Sequence, residues 1–112
     1  MVCYSTADDA IGSAKSVLSG LRRFNKEVKT VRAEFHVRCG VNAGPVYYDP
    51  SIPMEEMSDR VIDIARHMQK YAVPDSVFTS LVIVKMLTPL PREGFRPANK
   101  TVDGLEVYQW SS

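Results

Sequence analysis

Cys3, His36, Cys39 and His67 have the chemistry of zinc ligands, and a cysteine beside a histidine could also act as a nucleophile with its base. Spacing argues against both uses. His36 and Cys39 stand three apart in the alternating run EFHVRCGVNAG, so a strand sends them to opposite faces. No Cys/His pair has a third residue in the sequence that would orient the base. Glu55, Glu56 and Asp59 are neighbouring acids just before a helix, where carboxylates complement the positive end of the helix dipole. No pair of carboxylates has convincing metal spacing. Tyr47, Tyr48, Tyr108 and Trp110 alternate in strand-like runs. Such rings can stack on bases, but a formal net charge of +1 argues against a nucleic-acid partner. Core or dimer contact is the better reading of them. Arg22, Arg23, Lys26, Lys29 and Arg32 form one local basic cluster.

The elements that must position these residues follow from periodicity. MVCYS reads as a short strand. STADDAIGSAKSVLSGLRRFNKEV reads as a helix: Thr6 and Asp9 make a capping-box-like start, and Ala7, Ile11, Ala14, Leu18, Leu21 and Val28 recur on one face. Its basic end suits the negative end of the dipole. In EFHVRCGVNAG, Phe35, Val37, Cys39, Val41 and Ala43 face one way and His36, Arg38, Gly40 and Asn42 the other, which predicts a strand with one buried face. Gly44 and Pro45 impose a bend or bulge, and VYYD continues or returns. PSIPMEE is a loop. MSDRVIDIARHMQKYA is a second helix with Ser58 as its N-cap and an apolar stripe of Val61, Ile64, Ala65, Met68 and Ala72. SVFTS is strand-like, LVIVKML is open between strand and helix, and PLPREGFRP is irregular. Asp103-Gly104 is a hairpin dipeptide before the alternating Leu105, Val107 and Gln109. The order β, α, β(β), α, β, (α), ββ predicts an α/β sandwich with helices packed on a sheet.

Composition is compatible with this. The 112 residues suit one domain, which can bury roughly two-thirds of its unfolded surface. Hydrophobic residues make up 45% and charged residues 24%, the ordinary globular mix. Two cysteines do not make a disulfide scaffold, so buried thiols in a reducing cytosol are expected. The chain opens without a leader-like stretch, and its longest apolar run, LVIV, is too short to span a bilayer. A cytoplasmic protein with no membrane segment is expected.

Four segments, in order, resemble the later part of a class III adenylate/guanylate cyclase catalytic domain. STADDAIGSA resembles the family's strand-to-helix junction. VRCGVNAGPV resembles its strand of the form irIGIhtGeVv. SDRVIDIARHMQKYAVPDSVFTS resembles its helix and strand of the form GdavNlAaRlqslAkpgqIlvS, and VDGLEVYQW its closing hairpin. The resemblance implies a ferredoxin-like α+β sandwich of the nucleotide cyclase type over residues 1–112, with helices on a mostly antiparallel sheet and without the first strand and first helices. In that family the Gly44-Pro45 position is where a strand bends out of the sheet towards a partner subunit. A bulge that only shapes an edge is the alternative.

The family forms cyclic nucleotide and pyrophosphate from ATP or GTP with two divalent ions, Mg²⁺ or Mn²⁺. Its two metal aspartates lie upstream of the segments matched here, so this chain has no metal ligands of its own by the resemblance. Aligned on Ala72, Arg60 falls at the purine-reading aspartate, Asp63 at the catalytic asparagine and His67 at the transition-state arginine. All three are substituted. Asp63 would repel a triphosphate, and His67 lacks the permanent charge and donor fork of an arginine. A shift of one residue brings Asp59 and Arg66 to these positions instead but spoils the apolar stripe. Lys100 falls near a triphosphate-contacting lysine, or is a solvated turn lysine. The expected function is therefore a cyclase domain inactive as this chain, or a non-catalytic cyclase-homology module that dimerises or senses a nucleotide. A homodimer is expected, because a missing central strand leaves edges that recruit another chain.

Overall fold

The computed structural model describes Tyr4 and residues 6–27, 36–44, 51–53 and 60–111, with the side chains of 25–27 excepted. The elements are α1 (Ala7–Glu27), β1 (Arg38–Gly40), α2 (Arg60–Tyr71), β2 (Ser76–Ser80), α3 (Leu81–Met86), α4 (Pro89–Arg92), β3 (Arg96–Val102) and β4 (Leu105–Ser111). The strands form one mixed sheet in the order β1-β2-β4-β3. β1 runs parallel to β2; β2–β4 and β4–β3 are antiparallel. The sheet is thus mostly antiparallel, and the class is α+β. Expectations for MVCYS beyond Tyr4, for Val28, Lys29, Arg32 and Phe35, for Pro45 to Asp49 and for Glu55, Glu56, Ser58 and Asp59 lie outside the described residues.

Helices cover both faces of the sheet. On one face α2 supplies Ile64, Met68 and Ala72, which meet Phe78, Val102 and Val107. On the other, Ile11 and Leu18 of α1 meet Val77 and Leu87, with Cys39, Val41, Phe95 and Trp110 packed around them. β2 is central to both cores, and all five of its residues are buried. Its polar members are satisfied: Ser76 donates to the Val73 carbonyl, Thr79 donates to the Val41 carbonyl, and Ser80 accepts from the Ile83 amide.

α1 begins as the sequence indicates, with the Thr6 hydroxyl accepting from the Asp9 amide at 3.1 Å. The predicted α2 stripe is found, but Ile62 is buried as well. The strand around Cys39 departs from expectation. It is shorter, and both faces are covered. Cys39 and Val41 turn to α1. On the opposite face a Cβ on Gly40 would stand 2.2 Å from the Gln69 nitrogen and 2.3 Å from the Ala65 oxygen. Gly40 is therefore where the α2 backbone rests on the sheet. Asn42, on that same face, donates to the Val61 carbonyl at 3.1 Å.

LVIVKML resolves as helix α3, because Ser80 ends β2 and caps the next turn at once. PLPREGFRP also has order. Pro89 opens the single turn of α4, where its lost amide hydrogen costs nothing. Arg92 then reaches back to the end of α3 and donates to the carbonyls of Val84, Lys85 and Leu87. The last strand pair closes through Asp103 and Gly104, both at positive φ (52° and 77°), as a two-residue hairpin requires.

Candidate functional site

α2 carries three of the four residues singled out above. Arg60, Asp63 and His67 stand three and four apart and so share one side of the helix. Arg60 is its first residue and is exposed. Asp63 pairs with Arg66 at 3.5 Å, one turn on, and both side chains are well exposed. His67 does not point free into solvent. Its Nδ1 lies 2.6 Å from Oδ2 of Asp103 in the hairpin turn. This contact ties α2 to the β3–β4 hairpin, and a charged pair results when the imidazole is protonated.

Lys100 lies on β3, on the side of the sheet covered by α2. Its ammonium sits 5.2 Å from the centroid of the Phe78 ring. The cation thus caps the α2-side core, at a distance where ring and charge attract. The structure therefore joins His67 to Asp103 and Lys100 to Phe78, two partners that no sequence spacing announced. The Asp103 pairing had one usable signal. An Asp-Gly hairpin dipeptide presents a carboxylate at the turn, and a turn can reach a helix packed on the same sheet.

The second histidine behaves alike. Nδ1 of His36 lies 2.7 Å from Oδ2 of Asp75, whose backbone is also left-handed at φ 62° and whose amide donates to the Val37 carbonyl. The two histidines go to different aspartates. Cys39 turns to the α1 side, where burial raises its thiol pKa above the ordinary value. Among the described residues no three His, Cys, Asp or Glu side chains converge as a cation site would need.

A different cluster lies on the α1 side. Lys15 donates to the carbonyls of Pro91 (2.7 Å) and Glu93 (2.8 Å). The same ammonium lies 5.2 Å from the Phe95 centroid and 5.3 Å from that of Trp110. Burial lowers the Lys15 pKa, and the nearby Glu93 carboxylate partly offsets this. Gly94, at φ 87°, lets the chain lie against the indole: a Cβ there would stand 2.7 Å from Trp110 Cδ1. Lys15, Ser16, Ser19, Leu90 and Glu93 line an open cleft of about 490 Å³ beside Trp110. Two of the three ammonium hydrogens are spent on backbone carbonyls. Lys15 thus anchors α1 to the turn between α4 and β3. Of the aromatic residues considered for base stacking, Trp110 packs in the α1-side core, Tyr108 is half-buried in β4, and Tyr47 and Tyr48 lie outside the described residues.

Comparisons with protein-family models, with curated proteins and with solved structures return no significant match to this chain. Among the described residues no helix is long and apolar enough to cross a membrane.

Proposed function

We propose that this chain is a cyclase-homology domain without catalytic competence, serving as a dimerising module in nucleotide signalling. One observation carries the reading. The positions that resemble the family's asparagine and transition-state arginine hold Asp63 and His67, and both are engaged inside the domain, with Arg66 and Asp103. A carboxylate where a triphosphate would approach is repulsive. A histidine held by a hairpin aspartate is a structural tie and has no donor fork. The α+β sheet with helices on both faces and the Asp103-Gly104 hairpin are compatible with this family. Of the positions matched to the family, Lys100, engaged over Phe78, and Arg60, exposed at the helix start, are the cations that could meet a nucleotide phosphate.

The test is a cyclase assay with ATP and with GTP in the presence of Mn²⁺. It is run on this chain and on a version extended upstream through both expected metal aspartates. The reading expects no cyclic nucleotide from either. Product from the extended protein alone would mean that Asp63 and His67 do not disable the site and that this chain is part of a working enzyme. That outcome would overturn the non-catalytic reading.

A further inference from the structure

The side of α1 turned to α4 carries more positive charge than the described residues balance. Lys15 lines the open cleft beside Trp110, whose volume of about 490 Å³ is in the range of small-molecule sites. Its ammonium is held by two backbone carbonyls and two rings, and no carboxylate lies within ion-pair distance of it among the described residues. Ser16 and Ser19 add exposed hydroxyls, neither with a hydrogen-bond partner among the described residues. Arg22 stands three residues beyond Ser19 and seven beyond Lys15, and so on the same side of α1. It is exposed and has no ion pair among the described residues. Gly94, also in the cleft lining, leaves the edge of the indole bare: a Cβ there would stand 2.9 Å from Trp110 Nε1. That N–H has no partner among the described residues and is not sealed from solvent. A packed tryptophan usually gives its N–H an acceptor.

We propose that this cleft binds a small organic monocarboxylate with a flat apolar body. The available groups decide the chemistry. The hydroxyls of Ser16 and Ser19, the guanidinium of Arg22 and the N–H of Trp110 are donors still open to an acceptor. A carboxylate accepts from several donors at once and donates to none, and such charge-assisted bonds are the strong ones. Charge then selects the kind of anion. Glu93 is the acidic side chain of the lining, and set against Lys15 and Arg22 it leaves one positive charge. That balance suits a monoanion and disfavours both a cation and a dianionic phosphate ester. Leu90, 78% exposed, and the indole supply apolar surface for the body of the ligand. Lys15 keeps its bonds to the Pro91 and Glu93 carbonyls and contributes a fixed charge to the cleft. The site is on the α1 side of the sheet, whereas Asp63 and His67 are on α2, so it goes beyond the reading above and does not depend on it.

The chain has one tryptophan, so its indole N–H gives a single side-chain signal in a proton–nitrogen spectrum. The test follows that signal in the wild-type chain at neutral pH and constant ionic strength. The probe is phenylacetate, with phenylacetamide, phenyl phosphate and 2-phenylethylammonium as its neutral, dianionic and cationic counterparts. Phenylacetate should move the Trp110 signal saturably, with a Kd of about 1 mM or below. Each counterpart should bind about tenfold more weakly or worse. Ser19→Ala and Arg22→Gln change exposed positions of α1 to good helix formers, so the helix is kept. Each should weaken phenylacetate by about threefold or more, with helical circular dichroism unchanged. No saturable movement with phenylacetate up to about 10 mM overturns the site. Tighter binding of phenyl phosphate or of 2-phenylethylammonium overturns the monoanion assignment. Equal affinity for phenylacetamide, or for phenylacetate in both variants, overturns recognition of the carboxylate by these donors.

Discussion

Gly40→Ala tests the packing on which the whole α2 side depends. The added methyl would stand 2.2 Å from the Gln69 nitrogen, 2.3 Å from the Ala65 oxygen and 2.8 Å from the Gln69 Cα. Ordinary contact begins near 3.4 Å, so α2 or β1 must move by about 1 Å. All three obstacles are helix backbone, and none can rotate away as a side chain would. Overpacking costs about 1–3 kcal/mol, and this site should reach about 3 kcal/mol or more. Against a total stability of about 5–15 kcal/mol that is a large loss. Replacing glycine by alanine where there is room does the opposite. A Cβ on Gly12, inside α1, meets nothing within 4 Å, so Gly12→Ala should stabilise by about 0.5–1 kcal/mol. Urea unfolding followed by Trp110 fluorescence and by helical circular dichroism measures both. If Gly40→Ala is as stable as the parent, α2 does not rest on β1 as described.

The hairpin tie predicts a ranking. Asp103→Asn keeps a residue that tolerates φ 52° and loses only the charge facing His67, at a cost of about 0.5 kcal/mol. Asp103→Ala also strains the turn and should cost about 1 kcal/mol more. Equal denaturation midpoints for the parent and Asp103→Asn would argue against the pairing. At the end of α3, Arg92→Lys should destabilise by about 1 kcal/mol, because one ammonium cannot reproduce the Nε and Nη2 bonds to three carbonyls; a neutral result in thermal unfolding would count against that role. Lys15 has a folded pKa below its ordinary 10.5, so between the lowered value and 10.5 the unfolded chain binds more protons and this group's contribution to stability rises with pH. Urea midpoints of the parent minus those of Lys15→Met should therefore increase towards pH 10.5, and a flat difference would refute the assignment.

The sequence was most legible where one face of an element is apolar and its end is marked. α1 shows this with Thr6 and its Ile11 and Leu18 stripe, and α2 with Ile64, Met68 and Ala72. The Asp103-Gly104 hairpin was equally plain, because both positions need positive φ. The rest depended on contacts between distant residues. Alternation around Cys39 suggested a solvent face opposite the core, but the absent side chain of Gly40 is what lets a helix lie there. β3 was hidden by Pro97 and by the irregular register that an edge strand tolerates. α3 was ambiguous because β-branched residues fill a helix whose cap, Ser80, is also the last residue of a strand. At the candidate site, Asp63 and His67 could be chosen from the sequence. Their partners could not, since Asp103 is brought to His67 only by the return of the β3–β4 hairpin over α2.

The most direct test of the central claim is a long-range proton–nitrogen spectrum of the His67 ring, recorded during titration with ATP and with GTP in Mg²⁺. His67 is committed to Asp103 through Nδ1. The ring signals should therefore stay in place as nucleotide is added and move on Asp103→Asn. Saturable movement of the His67 signals with nucleotide, unchanged in Asp103→Asn, would show the imidazole to be a ligand group and would contradict the account.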